Sequence, residues 1–155
     1  MAPNSQTSPS VIFAADDDHD DRTMLRMLLR KAGVEYPLEI YHEGEEIVAA
    51  LSKLIQGSLN AIRPLLCFLD VKMSTLTGHD VLRWIRAQPF FNTVPVVFLS
   101  GSDHPADLSN ARENGAHCYL TKYPTPAVLR QVVEVAEARQ FGLGASALST
   151  TSACR

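Results

Sequence analysis

Acidic side chains cluster directly after the first apolar run of the chain. Five carboxylates fall within residues 16–21, and Asp16 and Asp17 directly follow two alanines. Adjacent carboxylates repel each other unless a cation lies between them. Asp20 and Asp21 fit helix-capping positions, with Asp18 as a further candidate, because the N-terminus of a helix favours an acid. Capping does not account for Asp16 and Asp17, which therefore indicate a site for a hard divalent cation.

Three further polar side chains, Asp70, Ser100 and Lys122, each follow another apolar run. If these runs are strands of one parallel sheet, their ends meet at one edge, and Asp70 lies beside Asp16 and Asp17. Magnesium prefers oxygen ligands and commonly binds one or two carboxylates plus a phosphate, which leaves Asp70 available as a nucleophile. A hydroxyl and an ammonium at the same edge supply the charge stabilisation that phosphoryl transfer requires. The pattern thus predicts phosphoryl chemistry.

Short apolar runs alternate along the chain with segments of helical periodicity. Continuous apolar runs are typical of strands that are covered on both faces, as in a parallel sheet. Five runs are predicted to be strands: residues 11–15, 38–41, 65–69, 94–99 and 118–121. The alternation predicts an α/β fold with a doubly wound five-stranded parallel sheet, in which functional groups gather beyond the carboxyl ends of the strands.

Length and composition fit one globular domain. The chain has 155 residues, of which 46% are hydrophobic and 20% charged. We expect a folded domain over residues 11–139, with flexible tails at residues 1–10 and 140–155, because both ends are rich in small and polar residues. The net charge of -3 and the absence of a run of lysine and arginine argue against nucleic acid as a partner.

The sequence contains no recognisable export signal or membrane segment. The N-terminal residues lack an apolar core, and no apolar stretch approaches the ~18 residues that span a bilayer. The three cysteines include no C-x-x-C pair, so a zinc site is not indicated. We therefore expect a cytoplasmic protein that does not bind membranes.

The joint pattern of an acidic pair, an aspartate, a hydroxyl and a lysine at successive strand ends resembles the receiver domains of two-component response regulators. The resemblance covers residues 11–139 and includes the segment Leu69-Asp70-Val71-Lys72-Met73 with Gly78 after it. It implies a (βα)5 flavodoxin-like receiver fold, with Asp70 as the phosphoacceptor and Lys122 as the lysine of the site. Ser100 then matches the switch hydroxyl. Tyr119 matches the switch aromatic, which we expect to turn inward on phosphorylation.

The same resemblance implies a Mg²⁺ site and a signalling role. Asp16, Asp70 and the backbone carbonyl of Lys72 would ligate the ion, with Asp17 acting largely through water. A sensor histidine kinase or phosphotransfer protein would donate the phosphoryl group, so the chain is expected to be a phosphoacceptor with self-catalysed phosphotransfer and dephosphorylation, not an enzyme. No output domain is recognised after the fifth helix, which resembles the stand-alone regulators that serve chemotaxis or bacterial phytochrome kinases. The output is then contact with an unidentified downstream protein.

Two positions depart from the family pattern. Tyr123 stands where the family usually has a proline joined to the lysine by a cis bond, and Ser74 replaces another proline. A cis Lys-Tyr bond costs about 3 kcal/mol relative to trans, so the sequence leaves this geometry open. Ser74 is expected to make its loop less rigid and to leave Asp70 in place.

Three other functions remain open. A pseudo-receiver that binds without being phosphorylated is kept open by the unusual Lys122-Tyr123 pair, although the full trio of acids argues against it. A haloacid-dehalogenase-like phosphatase also uses a strand-end aspartate with magnesium, but it typically has a second aspartate where this chain has Lys72. A flavodoxin-like flavin protein needs a first loop rich in hydroxyl and glycine residues to hold a phosphate, whereas this chain has aspartates there.

Overall fold

The computed structural model describes residues 9–57, 62–101 and 104–142. Within these ranges strands and helices alternate in the predicted order. The elements are β1 (Ser10–Ala15), α1 (His19–Lys31), β2 (Leu38–Tyr41), α2 (Gly44–Gln56), β3 (Arg63–Asp70), α3 (Gly78–Ala87), a 3-10 turn (Pro89–Phe91), β4 (Val96–Ser100), α4 (Pro105–Glu113), β5 (Cys118–Thr121) and α5 (Pro126–Phe141).

The strands form one parallel sheet in the order β2-β1-β3-β4-β5. Ala15 at the end of β1 pairs with Leu69, and Ser100 at the end of β4 pairs with Thr121. This register brings the carboxyl ends of β1, β3, β4 and β5 to one edge. The predicted doubly wound α/β fold is confirmed.

Helices cover both faces of the sheet, which explains the continuous apolar runs. All six residues of β1 are buried, and successive side chains enter different core clusters. Phe13 packs in the cluster that contains Ile47 of α2 and Val81 of α3. Ile12 packs in the cluster that contains Leu29 of α1 and Leu129 of α5. Each apolar residue of β1 therefore removes its surface from water, whichever face it points to.

The chain ends differ slightly from the expected boundaries. Ser10 already belongs to β1, where its side chain accepts a hydrogen bond from Gln140 at 2.9 Å. α5 continues to Phe141, two residues beyond the expected domain end, and stops at Gly142 with a positive φ of 68°. The rest of the expected tails, residues 1–8 and 143–155, lies outside the described residues. Nowhere in the described ranges is a helix both long and apolar enough to span a membrane.

Arg86 near the end of α3 binds four backbone carbonyls at the amino edge of the sheet. Its guanidinium donates to the carbonyl oxygens of Val94 at 2.8 Å and of Phe91 and Asn92 at 3.3 Å. It also donates to Gly115, which follows α4, at 3.0 and 3.1 Å. Because an arginine offers five N–H groups in a rigid plane, one side chain joins the loops before β4 and β5 to α3.

A carboxylate and lysine site at the carboxyl edge of the sheet

Three carboxylates converge where β1 and β3 end. Asp16 follows β1 and Asp70 ends β3, and the pairing of these two strands makes them neighbours. One oxygen from each of Asp16, Asp17 and Asp70 lies within 4.8 Å of the others. Asp16 and Asp70 are buried, whereas Asp17 is exposed. The structure thus brings together the three acids that the sequence proposed as metal ligands.

The loop after β3 folds back over the backbone of Asp70. The N–H of Gly78 donates to the carbonyl oxygen of Val71 at 2.9 Å. A Cβ atom at Gly78 would lie 2.3 Å from the carbonyl oxygen of Asp70 and 2.7 Å from the ring of Phe98, so only glycine fits this close approach. Lys72, whose carbonyl the family resemblance implies as a ligand, lies in this loop with its side chain exposed.

The loop also contacts the segment before α2. The hydroxyl of Ser74 donates to the carboxylate of Glu43 at 2.8 Å, and the hydroxyl of Thr75 donates to it at 3.2 Å. These hydrogen bonds lower the pKa of Glu43, with the Ser74 hydroxyl as the largest cause. Serine in place of the usual proline therefore gives the loop a side-chain anchor.

The ammonium of Lys122 lies among three carboxylates. Its Nζ atom is 2.6 Å from Asp21, 2.9 Å from Asp16 and 3.4 Å from Asp70. Burial by itself lowers the pKa of Lys122, but the hydrogen bonds to Asp21 and Asp16 and the charge of Asp70 outweigh burial and raise it. The lysine is therefore a fixed positive charge beside the acids.

Burial and the charges of neighbouring carboxylates disfavour the ionised forms of the two buried acids, Asp16 and Asp70. Burial is the largest cause that raises the pKa of Asp70, to about 6, and the charge of Asp16 adds to it. The pKa of Asp16 is also raised, mainly by burial, despite hydrogen bonds from Lys122 and the backbone of Asp18. Carboxylates whose negative charge is only partly offset by one lysine fit the donor set of a hard divalent cation.

The raised pKa predicts how stability depends on pH in the metal-free protein. The folded state binds the Asp70 proton more tightly than the unfolded state, so the cost of ionising Asp70 in the fold grows as the pH rises from about 4 to about 6 and is fully present above about 6. We expect Asp70→Asn to raise the free energy of unfolding at about pH 7 by roughly 2 to 3 kcal/mol. Urea denaturation in EDTA measures this difference, which should vanish below about pH 4. A difference that does not change with pH would contradict this assignment.

Asp21 and Tyr123, which the sequence did not assign to the site, both lie in it. Asp18 is the cap of α1, since its carboxylate accepts the N–H of Asp21 at 2.9 Å. The Asp21 side chain, predicted to cap the helix, instead binds Lys122, and it accepts the hydroxyl of Tyr123 at 2.6 Å. A signal existed, because Asp21 lies one helical turn before the buried Leu25 and so shares its inward face. The Lys122–Tyr123 peptide bond is cis.

The two predicted switch residues lie on β4 and β5. Ser100 is buried at the end of β4, and its carbonyl oxygen accepts the N–H of Lys122 at 2.8 Å. Tyr119 is buried in β5, with its ring centroid 6.1 Å from that of Phe98. The ring lies inward in this structure, and its response to phosphorylation stays a prediction.

Comparisons with known proteins agree with this architecture. A sequence model of the response regulator receiver domain matches residues 12–134. Response regulator Rcp1 of Synechocystis is 31% identical over 115 residues, which cover 74% of this chain and 77% of Rcp1. The crystal structure of the Mn²⁺-bound form of Rcp1 aligns with a TM-score of 0.63 at 28% identity, over 88% of this chain and 97% of that one.

A second solved structure, the phosphorylated cyanobacterial phytochrome response regulator RcpA, aligns with a TM-score of 0.64 at 28% identity. It covers 93% of this chain and 96% of the RcpA chain. These matches favour a receiver over a dehalogenase-like phosphatase or a flavin protein. The parallel sheet, the acids at its carboxyl edge and the match over residues 12–134 together show that the chain belongs to the response regulator receiver family, the phosphoacceptor signalling proteins of two-component phosphorelays.

Proposed function

We propose that this receiver accepts a phosphoryl group on Asp70 in a Mg²⁺-dependent reaction and signals by contact with another protein. One observation carries the proposal. The carboxylate of Asp70 is buried at the end of a central strand, within 4.8 Å of oxygens from Asp16 and Asp17 and 3.4 Å from the ammonium of Lys122. A nucleophilic carboxylate, the acids of a cation site and the positive charge of Lys122 thus lie together at the carboxyl edge of the sheet.

The residues present suggest a role for each group. Asp16, Asp17, Asp70 and the carbonyl of Lys72 would hold the ion, which supplies neutralisation of the phosphoryl charge when bound. A carboxylate oxygen of Asp70 attacks phosphorus, forming a P–O bond as the bond between phosphorus and the donor atom breaks. Lys122 and Ser100 donate hydrogen bonds to the transferred oxygens. Attack of water on the phosphoaspartate later restores the carboxylate and releases phosphate.

A sensor histidine kinase or a phosphotransfer protein is the proposed donor, because the family acts in phosphorelays. The cytoplasmic location, the absence of nucleic acid and membrane partners and the contact with a downstream protein stay predictions. Self-catalysed dephosphorylation by attack of water on the phosphoaspartate belongs to the same proposal.

The test is incubation of the protein with acetyl phosphate and Mg²⁺, followed by measurement of its intact mass. We expect the mass to rise by one phosphoryl group, and EDTA should abolish this gain. A known receiver labelled in parallel controls for the phosphodonor. If that control gains a phosphoryl group and this protein does not, the pseudo-receiver interpretation replaces the proposal.

Ser100→Ala should separate phosphorylation from the conformational response. Phosphoaspartate carries nearly two negative charges and attracts the Ser100 hydroxyl, which moves the loop between β4 and α4. The variant should still bind the phosphoryl mimic beryllofluoride, but its amide chemical shifts along α4 and at Tyr119 should change less than those of the wild type. Ser109→Ala, an exposed change on α4, is the matched control. Equal shift changes in wild type and Ser100→Ala would exclude coupling through this hydroxyl.

A further inference from the structure

Asp21 is a fourth carboxylate near the phosphoacceptor, and it makes the shortest contact with Lys122. The Nζ atom lies 2.6 Å from Asp21, compared with 3.4 Å from Asp70. Asp21 lies on the first turn of α1, not at a strand end, and it is not one of the three acids that converge as a cation site. Its carboxylate is therefore a competitor for the lysine.

Tyr123 holds the other oxygen of the same carboxylate. Its hydroxyl donates to Asp21 Oδ1 at 2.6 Å, while Lys122 donates to Oδ2. The side chains of Asp21 and Lys122 are only 15% and 12% exposed, and Leu25 and Leu99 line the same cleft. Apolar walls strengthen the attraction, because the field between the charges is less screened than in water.

The donor capacity of Lys122 is fully used in this arrangement. An ammonium group has three N–H donors, and three carboxylates lie within 3.4 Å of the nitrogen. A phosphoryl group on Asp70 adds further acceptor oxygens beside the longest of these contacts. Lys122 can donate to them only by weakening an existing contact, and the strongest restraint is the contact with Asp21.

We propose that Asp21 is a positioning residue that restrains Lys122, so that the phosphoryl group on Asp70 must compete with Asp21 for the ammonium. This inference rests on the proposed function of Asp70. Removing the charge of Asp21 should favour the contact between Lys122 and the phosphoryl group. Removing the Tyr123 hydroxyl should oppose it, because Asp21 then loses a hydrogen-bond donor and holds Lys122 more tightly.

The experiment measures the affinity for beryllofluoride at saturating Mg²⁺ by following amide chemical shifts. We expect Asp21→Asn to bind roughly fivefold more tightly than the wild type and Tyr123→Phe about twofold more weakly, as for a partly buried charge pair and a hydrogen bond to it. The matched control is Asp20→Asn, which removes the same charge from the same helical turn at an exposed position. Its affinity should equal that of the wild type.

The two variants are expected to change the affinity for beryllofluoride in opposite directions, which separates restraint of Lys122 from a merely structural role of Asp21. Loss of helix stability would weaken binding in Asp21→Asn and in Asp20→Asn alike. Tyr123 is 57% exposed, so Tyr123→Phe tests the inference independently without disturbing the core. Unchanged or weaker binding by Asp21→Asn, or tighter binding by Tyr123→Phe, would overturn the inference while wild-type binding upholds the proposed function. A wild type that fails to bind beryllofluoride with Mg²⁺ would overturn both.

Discussion

Asp70→Asn is expected to abolish the Mg²⁺-dependent gain of one phosphoryl group from acetyl phosphate. The amide keeps the size of the side chain but removes the nucleophilic carboxylate oxygen, which lies 3.4 Å from Lys122 in the wild type. Because the pKa of Asp70 is raised by burial and by Asp16, the neutral amide relieves repulsion in the folded protein. The variant should therefore remain folded, so that the loss of labelling reflects the missing nucleophilic oxygen and not unfolding.

Intact-mass measurements over a time course test this expectation. Asp20→Asn changes an exposed carboxylate in the neighbouring acidic cluster and should be labelled as fully as the wild type. Peptide mapping of the labelled wild type should place the phosphoryl group on the peptide that contains Asp70. Equal labelling of the wild type and Asp70→Asn would show that another side chain is the acceptor.

The double variant Asp16→Asn/Asp17→Asn is expected to lose roughly 100-fold or more in Mg²⁺ affinity, since only one carboxylate of the triad remains. Without the ion, its free energy of unfolding should rise. Burial raises the pKa of Asp16, so its charged form opposes folding, and neutralising it also removes repulsion on Asp70. Lys122 keeps its contacts with Asp21 and Asp70.

Calorimetric titration with Mg²⁺ and urea denaturation in EDTA measure the two effects. The control Glu35→Gln/Glu113→Gln removes two exposed charges from the segments before β2 and β5, away from the carboxyl edge. Its Mg²⁺ affinity should match that of the wild type. The cation-site assignment fails if the double aspartate variant binds Mg²⁺ as tightly as this control or is less stable than the wild type in EDTA.

The sequence predicted the strands well where apolar runs and hydrogen bonding coincide. β2 and β5 have the predicted bounds. β4 begins at Val96 and not at Val94, because the Val94 N–H donates to the Phe91 carbonyl in a turn and Pro95 has no N–H. β3 begins two residues early, at Arg63, whose N–H binds the Pro9 carbonyl. The hydrophobicity of the residues does not indicate these backbone hydrogen bonds, which set the strand bounds.

The convergence of Asp16, Asp17 and Asp70 was predictable because sheet topology alone brings strand ends together. The contact between Asp21 and Lys122 was not, since it joins side chains 101 positions apart. Capping and ion pairing both place an acid in the first turn of a helix, so the residue type does not distinguish them. The inward position of Tyr119 depends on a side-chain rotamer, which the spacing of residues does not encode.

The hydrogen bonds of Arg86 tie the residues that follow α4 to the end of α3. α4 (Pro105–Glu113) is followed by Gly115, whose carbonyl oxygen accepts two hydrogen bonds from Arg86, and Ala111 is the one buried residue of the helix among those described. A displacement at Ser100 therefore acts on a helix that is held by hydrogen bonds just beyond its C-terminal end. We expect α4 to rotate about Gly115 and not to slide along the sheet, so that its first turn sweeps the largest arc and presents the most altered surface to a binding protein.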